Sequence, residues 1–390
     1  MNINHNSFLV PPTVSLDWSP TPHLPFPPPF RMSILMRTTY LLIAFQTVLL
    51  VGQPNHATAK WTIFAGTEKT DSPSAERPTH PTAGALRNVY GIEVTPDAIF
   101  FSTVDDHSIW KCDREGTSMI RYAGTGTAGH TGDGGPALKA QFNKPHEIRA
   151  DDDGNLFVAD TFNHCVRRID AATQTVTTVA GTGQSGFAGD DGPATKAMFD
   201  QPHSIVLDGM GGIYVADTRN HRLRHVDLNH NLVRTVGGDG RGRLPEDGQS
   251  LKSASLFGPR SLAIDGDSIW LVLREGNSVW KIDRESDRIT LVAGTGKQGH
   301  EGDGADPRLA TFRGPKGIAV DSRGDLVIVD TENHALRYVD FAANTIQTLP
   351  VGHPMKRPHG AAVLTDSKGI DHILVSDSEN HRVLISPPRN

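Results

Sequence analysis

The sequence predicts an all-β protein, a six-bladed β-propeller in residues 60–390 whose ring is closed by an N-terminal strand that completes the last blade. Two observations predict the fold class: six copies of one strand motif recur along the chain, and a lone strand precedes the first copy. The composition agrees, because 39 glycines and 26 prolines in 390 residues suit many short strands joined by turns.

The repeated motif is an apolar strand that in most copies ends in Asp. The final residues of successive copies lie 47 to 57 positions apart, and the copies define six units. The copies are Ala98–Thr103, Asn155–Asp160, Gly212–Asp217, Ser268–Leu273, Asp325–Asp330 and Ile373–Asp377. Each unit also contains a preceding strand that starts near a proline, a third strand after a tight turn, and a Thr-rich fourth strand. Four short strands per unit of this length are typical of a propeller blade.

The lone strand, Trp61–Thr67, resembles the fourth strand of the other units and precedes any first strand. The last unit ends near Ile385, at its third or fourth strand. We therefore expect Trp61–Thr67 to complete blade six, which removes an exposed edge.

Residues 1–59 are predicted to be a Pro-rich leader and a signal peptide. Eight of the 26 prolines lie in the first 31 residues, and Arg37, the apolar run Tyr40–Val51 and the small residues Ala57–Ala59 follow. An apolar run of about 12 residues is shorter than the roughly 20 that span a bilayer, so we expect no stable membrane span after cleavage. The mature protein is predicted to be secreted, periplasmic or on the cell surface. A tail before a cytoplasmic domain is the alternative.

The net charge argues against one class of function, and the positions of the two cysteines argue against a disulfide. The net charge of −6 argues against nucleic-acid binding, which needs concentrated Lys and Arg. Cys112 and Cys165 align at opposite ends of corresponding strands in neighbouring blades, about 13 Å apart along the strand direction. A disulfide between them is therefore not expected.

Four of the turns after the repeated strand share Asp and Asn-His: Asp160–His164, Asp217–His221, Asp330–His334 and Asp377–His381. In this respect the chain resembles the NHL repeat family over residues 61–390, and the resemblance implies a propeller that binds partners. Blade one departs, with Asp106-His107, and blade four has Asn277 without the His. We expect both blades to be intact with different turns.

A His beside a carboxylate can act in acid-base catalysis, but a pattern repeated in four units favours a structural role in tight turns. The connections between blades, such as Gly132–Pro136, Gly189–Pro193 and Gly302–Gly304, contain Asp and Gly. They lack the spacing of an EF-hand, so we predict Gly-rich turns that lead into short helices such as Ala137–Phe142.

The candidate site lies where the six first strands begin, beside the central axis. The aligned residues are Tyr90, His146, His203, Arg260, Lys316 and His359. The chain also has a weaker resemblance to the peptidyl-hydroxyglycine amidating lyases, in which Pro-His dipeptides at this position supply zinc ligands from alternate blades. Here Pro145-His146, Pro202-His203 and Pro358-His359 fall in blades two, three and six instead.

Three uses of this ring stay open. His146, His203 and His359 can hold a metal, although Arg260 and Lys316 raise the cost of a divalent cation. Arg260 and Lys316 can instead bind a small anion, with the histidines as neutral donors. The third alternative is a water-filled channel.

The sequence favours a secreted binding or scaffold propeller that recognises a small anionic ligand or a protein on the face carrying the Asn-His turns. The alternative is a metal-dependent lyase or hydrolase at the ring, with Glu147 as an added ligand and Tyr90 as acid or base. No cofactor is expected for the first function, and zinc or calcium for the second.

Overall fold

The computed structural model describes residues 60–68, 71 and 77–389, which form six antiparallel sheets around a ring. The leader and signal peptide predicted in residues 1–59 lie outside this part. The strands of blades one to three are Val89–Val94, Ile99–Thr103, Ser108–Cys112, Met119–Ala123; Pro145–Ala150, Leu156–Asp160, Cys165–Ile169, Val176–Ala180; and Pro202–Leu207, Gly212–Asp217, Arg222–Asp227, Leu232–Gly237. The strands of blades four to six are Pro259–Asp265, Ser268–Leu273, Ser278–Asp283, Arg288–Ala293; Gly317–Val320, Leu326–Asp330, Ala335–Asp340, Thr345–Thr348; and Ala361–Thr365, Asp371–Asp377, Arg382–Ile385, Thr62–Gly66.

Two residue pairs add a short fifth strand to blades three and four. Gly192–Pro193 pairs with Leu232–Gly237, and Gln249–Ser250 pairs with Arg288–Ala293. The helical segments among the described residues are three-residue 3-10 turns: Ala137–Lys139, Thr161–Asn163, Ala194–Lys196, Thr218–Asn220, Leu251–Ser253, Pro307–Leu309, Thr331–Asn333 and Ser378–Asn380. In the described part of the chain, no helix has the length and apolarity needed to cross a bilayer.

The short helix predicted over Ala137–Phe142 is shorter in the structure. It ends at Lys139, because Ala140 has an extended backbone with φ −76° and ψ 150°. The carbonyl of Ala140 accepts a hydrogen bond from the amide of Thr125, 3.0 Å away. This contact ties the start of blade two to the connection that leaves blade one.

The N-terminal strand closes the ring as predicted. Thr62–Gly66 pairs antiparallel with Arg382–Ile385, so blade six combines one strand from the start of the described chain with three from its end. Trp61 is 5% exposed and Ala65 is fully buried. The closing strand therefore contributes to the core as well as to the sheet.

The hydrophobic core consists of six clusters, each of which joins two neighbouring blades, including blade six and blade one. Phe142, Phe199 and Phe312 are fully buried at equivalent places in three of them. First strands of neighbouring blades contact one another all the way around the ring. The first strands therefore surround the central axis, and their starts define one mouth of the channel.

Cys112 and Cys165 are both buried and form no disulfide. Burial raises the pKa of the Cys165 thiol well above its usual value, so this thiol stays protonated at neutral pH.

Candidate functional site

The repeated Asp and Asn of the NHL-like turns hold the backbone. Oδ1 of Asp160 accepts a hydrogen bond from the amide of Asn143 at 2.7 Å. Nδ2 of Asn163 donates to Oδ2 of Asp160 at 2.8 Å and to the carbonyl of Gly129 at 2.7 Å. The same arrangement recurs at Asp217 and Asn220, Asp330 and Asn333, and Asp377 and Asn380. The pattern supports the structural interpretation of these residues.

The His of each turn connects its blade to the next. Nδ1 of His164, for example, accepts a hydrogen bond from the amide of Gln201 at 3.2 Å. The equivalent pairs are His107 with Lys144, His221 with Gly258, Asn277 with Gly314, His334 with Arg357 and His381 with Asn88. All six acceptor residues have left-handed backbones, with φ between 43° and 56°. Blades one and four replace the 3-10 segment by a plain turn, as expected, yet His107 and Asn277 keep the bond.

The aspartates of the Gly-rich connections form ion pairs with buried arginines, which the sequence analysis did not identify as functional or structural residues. Arg167 is fully buried and lies 2.6 Å from Asp133 and 3.8 Å from Asp160. Arg224 pairs with Asp190 at 2.7 Å, and Arg337 pairs with Asp303 at 2.9 Å. These three arginines follow the repeated Asp by seven positions, a spacing that was available in the sequence. The connections are thus Gly-rich turns whose carboxylates bind arginine.

We expect Arg224→Ala to destabilise the protein by about 3 to 5 kcal/mol, because it leaves the fully buried Asp217 without its cation. Chemical denaturation followed by tryptophan fluorescence measures the change. Arg219→Ala is the control, since Arg219 lies on the turn that follows Asp217, is exposed, and donates a hydrogen bond from its side chain to Gln201; its effect should stay below about 0.5 kcal/mol. Equal effects of the two substitutions would contradict a structural role for Arg224.

The structure brings all six predicted ring residues together. They line one cavity of about 550 Å³ at the mouth of the channel on the face that carries the Asn-His turns, here called the upper cavity. The ring of Tyr90 stacks on His359 with centroids 3.7 Å apart and meets His146 edge to face at 4.7 Å. His146 in turn meets His203 at 4.7 Å. Four of the six positions therefore form a continuous row of aromatic rings.

Backbone carbonyls fix the tautomers of two of the ring histidines. Nδ1 of His146 lies 2.7 Å from the carbonyl of Lys144, and Nδ1 of His359 lies 2.9 Å from the carbonyl of Arg357. A carbonyl only accepts, so each Nδ1 carries the proton and each Nε2 is left with a lone pair. The expectation that these two histidines act as neutral donors is thus corrected: their single N–H is already used.

Burial lowers the pKa of His146, His203 and His359 well below its usual value, and the nearby cation Arg260 lowers it further in all three. The three rings are therefore neutral at neutral pH. As a metal set they are poorly placed, because Tyr90 lies between His146 and His359. Among the described residues, no three His, Cys, Asp or Glu side chains form a group that could hold a metal ion.

The two cations of the ring differ in their partners. Nζ of Lys316 lies 3.0 Å from Oε1 of Glu332 and 3.3 Å from Nε2 of His359. Burial, together with Arg260, lowers the pKa of Lys316 to about 7. Although burial opposes it, hydrogen bonds from Arg357 and Lys316 lower the pKa of Glu332 to about 2.

Arg260 has no such partner. It is 7% exposed, and its guanidinium makes no hydrogen bond or ion pair with the residues that the structure describes. Burial lowers its pKa to about 10, which still leaves it charged at neutral pH. The upper cavity thus contains a buried cation that has no hydrogen bond or ion pair among the described residues, although Glu147 and Glu275 attract it from further away.

The neutral histidines give stability a defined pH dependence. Their pKa values are lower in the folded than in the unfolded chain, so at these three groups the unfolded chain binds more protons, and their contribution to stability falls as pH drops through about 6.5. Below that point each histidine contributes a loss of up to about 1.4 kcal/mol per pH unit. Denaturant unfolding at pH 7.5, 6.5 and 5.5 measures the slope. His203→Gln should reduce it, and an unchanged slope in this variant would contradict the assignment.

Comparison with known proteins agrees with this structure. The NHL repeat model matches residues 142–169, 199–226 and 312–337. NHL repeat-containing protein 2 of Gallus gallus is 25% identical over 286 residues, 63% of this chain and 38% of that protein. A probable peptidyl-alpha-hydroxyglycine alpha-amidating lyase of Caenorhabditis elegans is 28% identical over 149 residues, 38% of this chain and 36% of that protein. The chain thus matches under two fifths of the length of either relative.

Among solved structures, an auxiliary nutrient binding protein from Bacteroides thetaiotaomicron superposes with a TM-score of 0.58 at 12% identity, over 85% of this chain and 76% of that one. This likeness concerns the fold. Matched repeats, the six blades and the inter-blade hydrogen bonds all lead to one conclusion. The chain has the fold of a six-bladed β-propeller, and three of its blades match the NHL repeat.

Proposed function

We propose that the protein is an exported binding propeller that captures a small anionic ligand in the upper cavity, with Arg260 as its main contact. The observation that carries the proposal is the buried, unpaired guanidinium of Arg260. Burying a charge without a partner costs several kcal/mol, so its retention is explained by a partner that arrives from solution. An arginine offers the planar pair of donors that suits a carboxylate or phosphate.

The rest of the upper cavity supports an anion that also carries hydroxyl groups. Five cationic side chains line it against two carboxylates: Lys144, Arg219, Arg260, Arg274 and Lys316 against Asp105 and Glu275. The Nε2 atom of His146 can accept a hydrogen bond from a ligand hydroxyl, whereas Nε2 of His359 already faces Nζ of Lys316. A volume of about 550 Å³ is within the range of small-ligand pockets. We therefore favour hydroxylated carboxylates, such as sugar acids, over bare inorganic anions.

Two further points support binding and export. The solved structure that shares the fold is named an auxiliary nutrient binding protein. The leader, with its short apolar run and the small residues Ala57–Ala59, has the layout of a signal peptide. Export remains part of the proposal, to be checked by N-terminal sequencing of protein recovered from outside the cell.

Calorimetric titration of the protein beginning at Lys60 tests the ligand class. Glucuronate, glucose and acetate form a matched series, since the first combines the hydroxyls of the second with the charge of the third. Glucuronate should bind at least about tenfold more tightly than either, which corresponds to ~1.4 kcal/mol. If glucose equals glucuronate, or if none of the three binds, the proposal fails.

A further inference from the structure

A second cavity opens at the opposite end of the channel, here called the lower cavity. It encloses about 730 Å³. Aliphatic side chains from the first strands form most of its walls, among them Ile92, Val206, Ala263, Ile318 and Ala361. It shares no lining residue with the upper cavity. The lower cavity is concave, its surface is divided about equally between apolar and polar groups, and such a pocket can hold a small organic molecule.

A cluster of charges lies between the two cavities. Glu147 borders the ring of the upper cavity, whereas Glu93 and Arg149 line the lower one. A guanidinium nitrogen of Arg149 lies 2.5 Å from Glu147 and 3.6 Å from Glu93, and the other nitrogen donates to the carbonyl of Leu262 at 3.3 Å. Arg149 is therefore neutralised within the protein and offers little charge to a ligand.

The lower cavity has an excess of negative charge. Four carboxyl groups line it, those of Glu93, Asp151, Asp152 and Asp153, against the single and already paired Arg149. Asp151 is bound by the amide and side chain of Asn155. The carboxylates of Asp152 and Asp153 are exposed and bond none of the described residues. Aliphatic walls beside two exposed carboxylates are complementary to an apolar body that ends in a cation.

We propose that the lower cavity binds small amphiphilic cations, namely organic amines with an aliphatic body of about eight carbons. The apolar body packs against Val206, Ala263 and Ile318, and the ammonium group faces the carboxylates of Asp152 and Asp153. Burial of each methylene favours binding by about fourfold, and the charge selects the amine over acids of equal length. This site is independent of the anion site at Arg260, since the two cavities differ in lining and in the sign of their charge.

The test is calorimetric titration of the protein beginning at Lys60 with octylammonium, 1-octanol and octanoate, which share one chain length and differ in charge. Octylammonium should bind with one-to-one stoichiometry and about tenfold or more above octanoate, with octanol between them. Equal binding of all three, or preference for octanoate, overturns the proposal.

Variants locate the site. Asp152→Asn with Asp153→Asn should cut the preference for octylammonium over octanoate to less than about threefold. The matched control is Asp265→Asn with Asp267→Asn, which removes two exposed carboxylates that do not line the cavity and should leave the preference unchanged. Ala361→Phe, which fills the cavity, should weaken all three molecules. If octylammonium binds this folded variant as tightly as the parent, the site lies elsewhere and the proposal fails.

Discussion

A chain that lacks Trp61–Thr67 is expected to melt at least about 10 °C below the chain that begins at Lys60. The deletion removes the strand that pairs with Arg382–Ile385, so blade six is left with three strands and an open edge. It also removes Trp61 and Ala65, which are buried in two of the six interblade clusters. Burial of a tryptophan alone is worth about 3 to 5 kcal/mol.

Scanning calorimetry of the two chains measures this effect, and Ile63→Thr is the control. Ile63 lies in the same strand but is 40% exposed, and its carbonyl and amide remain available for pairing. We expect this substitution to change stability by less than about 1 kcal/mol. A truncated chain that melts with the parent would show that the ring does not depend on its closing strand.

The repeat explains why the fold could be predicted. Each unit alone leaves two apolar faces exposed, so the pattern requires neighbours on both sides and a ring that closes. The lone strand at Trp61 could be assigned to blade six because each of the other fourth strands already belonged to a blade. The hydrogen bonds between blades also follow a regular spacing, since four of the six join residues 37 positions apart, such as His107 and Lys144. This spacing could be recognised as a set of contacts between blades only once the geometry of the ring was known.

The position of the candidate site could be predicted from the sequence, but the ion pairs and hydrogen bonds of its side chains could not. Alignment of the first strands places Tyr90, Arg260 and Lys316 in one ring because equivalent residues of equivalent strands must face the same axis. The difference between Lys316 and Arg260 depends on Glu332, which follows the second strand of blade five and reaches Lys316 across the turn. The repeat pattern does not indicate which side chains come close enough across a turn to form an ion pair.

The tautomers of the ring histidines could not be predicted from the sequence either. The prediction that the histidines donate hydrogen bonds to an anion treated each imidazole as free to rotate. In the structure, the backbone carbonyls of Lys144 and Arg357 each accept a hydrogen bond from one N–H of His146 and His359. These carbonyls belong to residues two positions before the histidines, where the chain enters the first strand. Lys144 and Arg357 have left-handed backbones, with φ of 51° and 43°. A local backbone feature thus sets the chemistry that the upper cavity offers.

Arg260→Met is expected to weaken binding of the anionic ligand by about 100-fold, roughly 3 kcal/mol, because charge-assisted hydrogen bonds in a buried site carry most of the affinity for an anion. Methionine keeps most of the side-chain length and removes only the charge and its donors. The ligand series used for the upper cavity measures the loss, which should be large for glucuronate and small for glucose. Binding of glucuronate within threefold of the parent would remove Arg260 from the site.

The stability of the same variant separates function from structure. Arg260 is buried without a partner, so Arg260→Met should leave the melting temperature unchanged or raise it. Arg149→Met is the matched control, since Arg149 also lies on a first strand near the axis but is paired with Glu147 and Glu93. Its removal leaves two carboxylates without a cation and should cost about 3 to 5 kcal/mol. Opposite effects of these two substitutions on stability would identify Arg260 as a residue that the protein retains for its ligand, because removal of a residue kept for the fold would destabilise the protein.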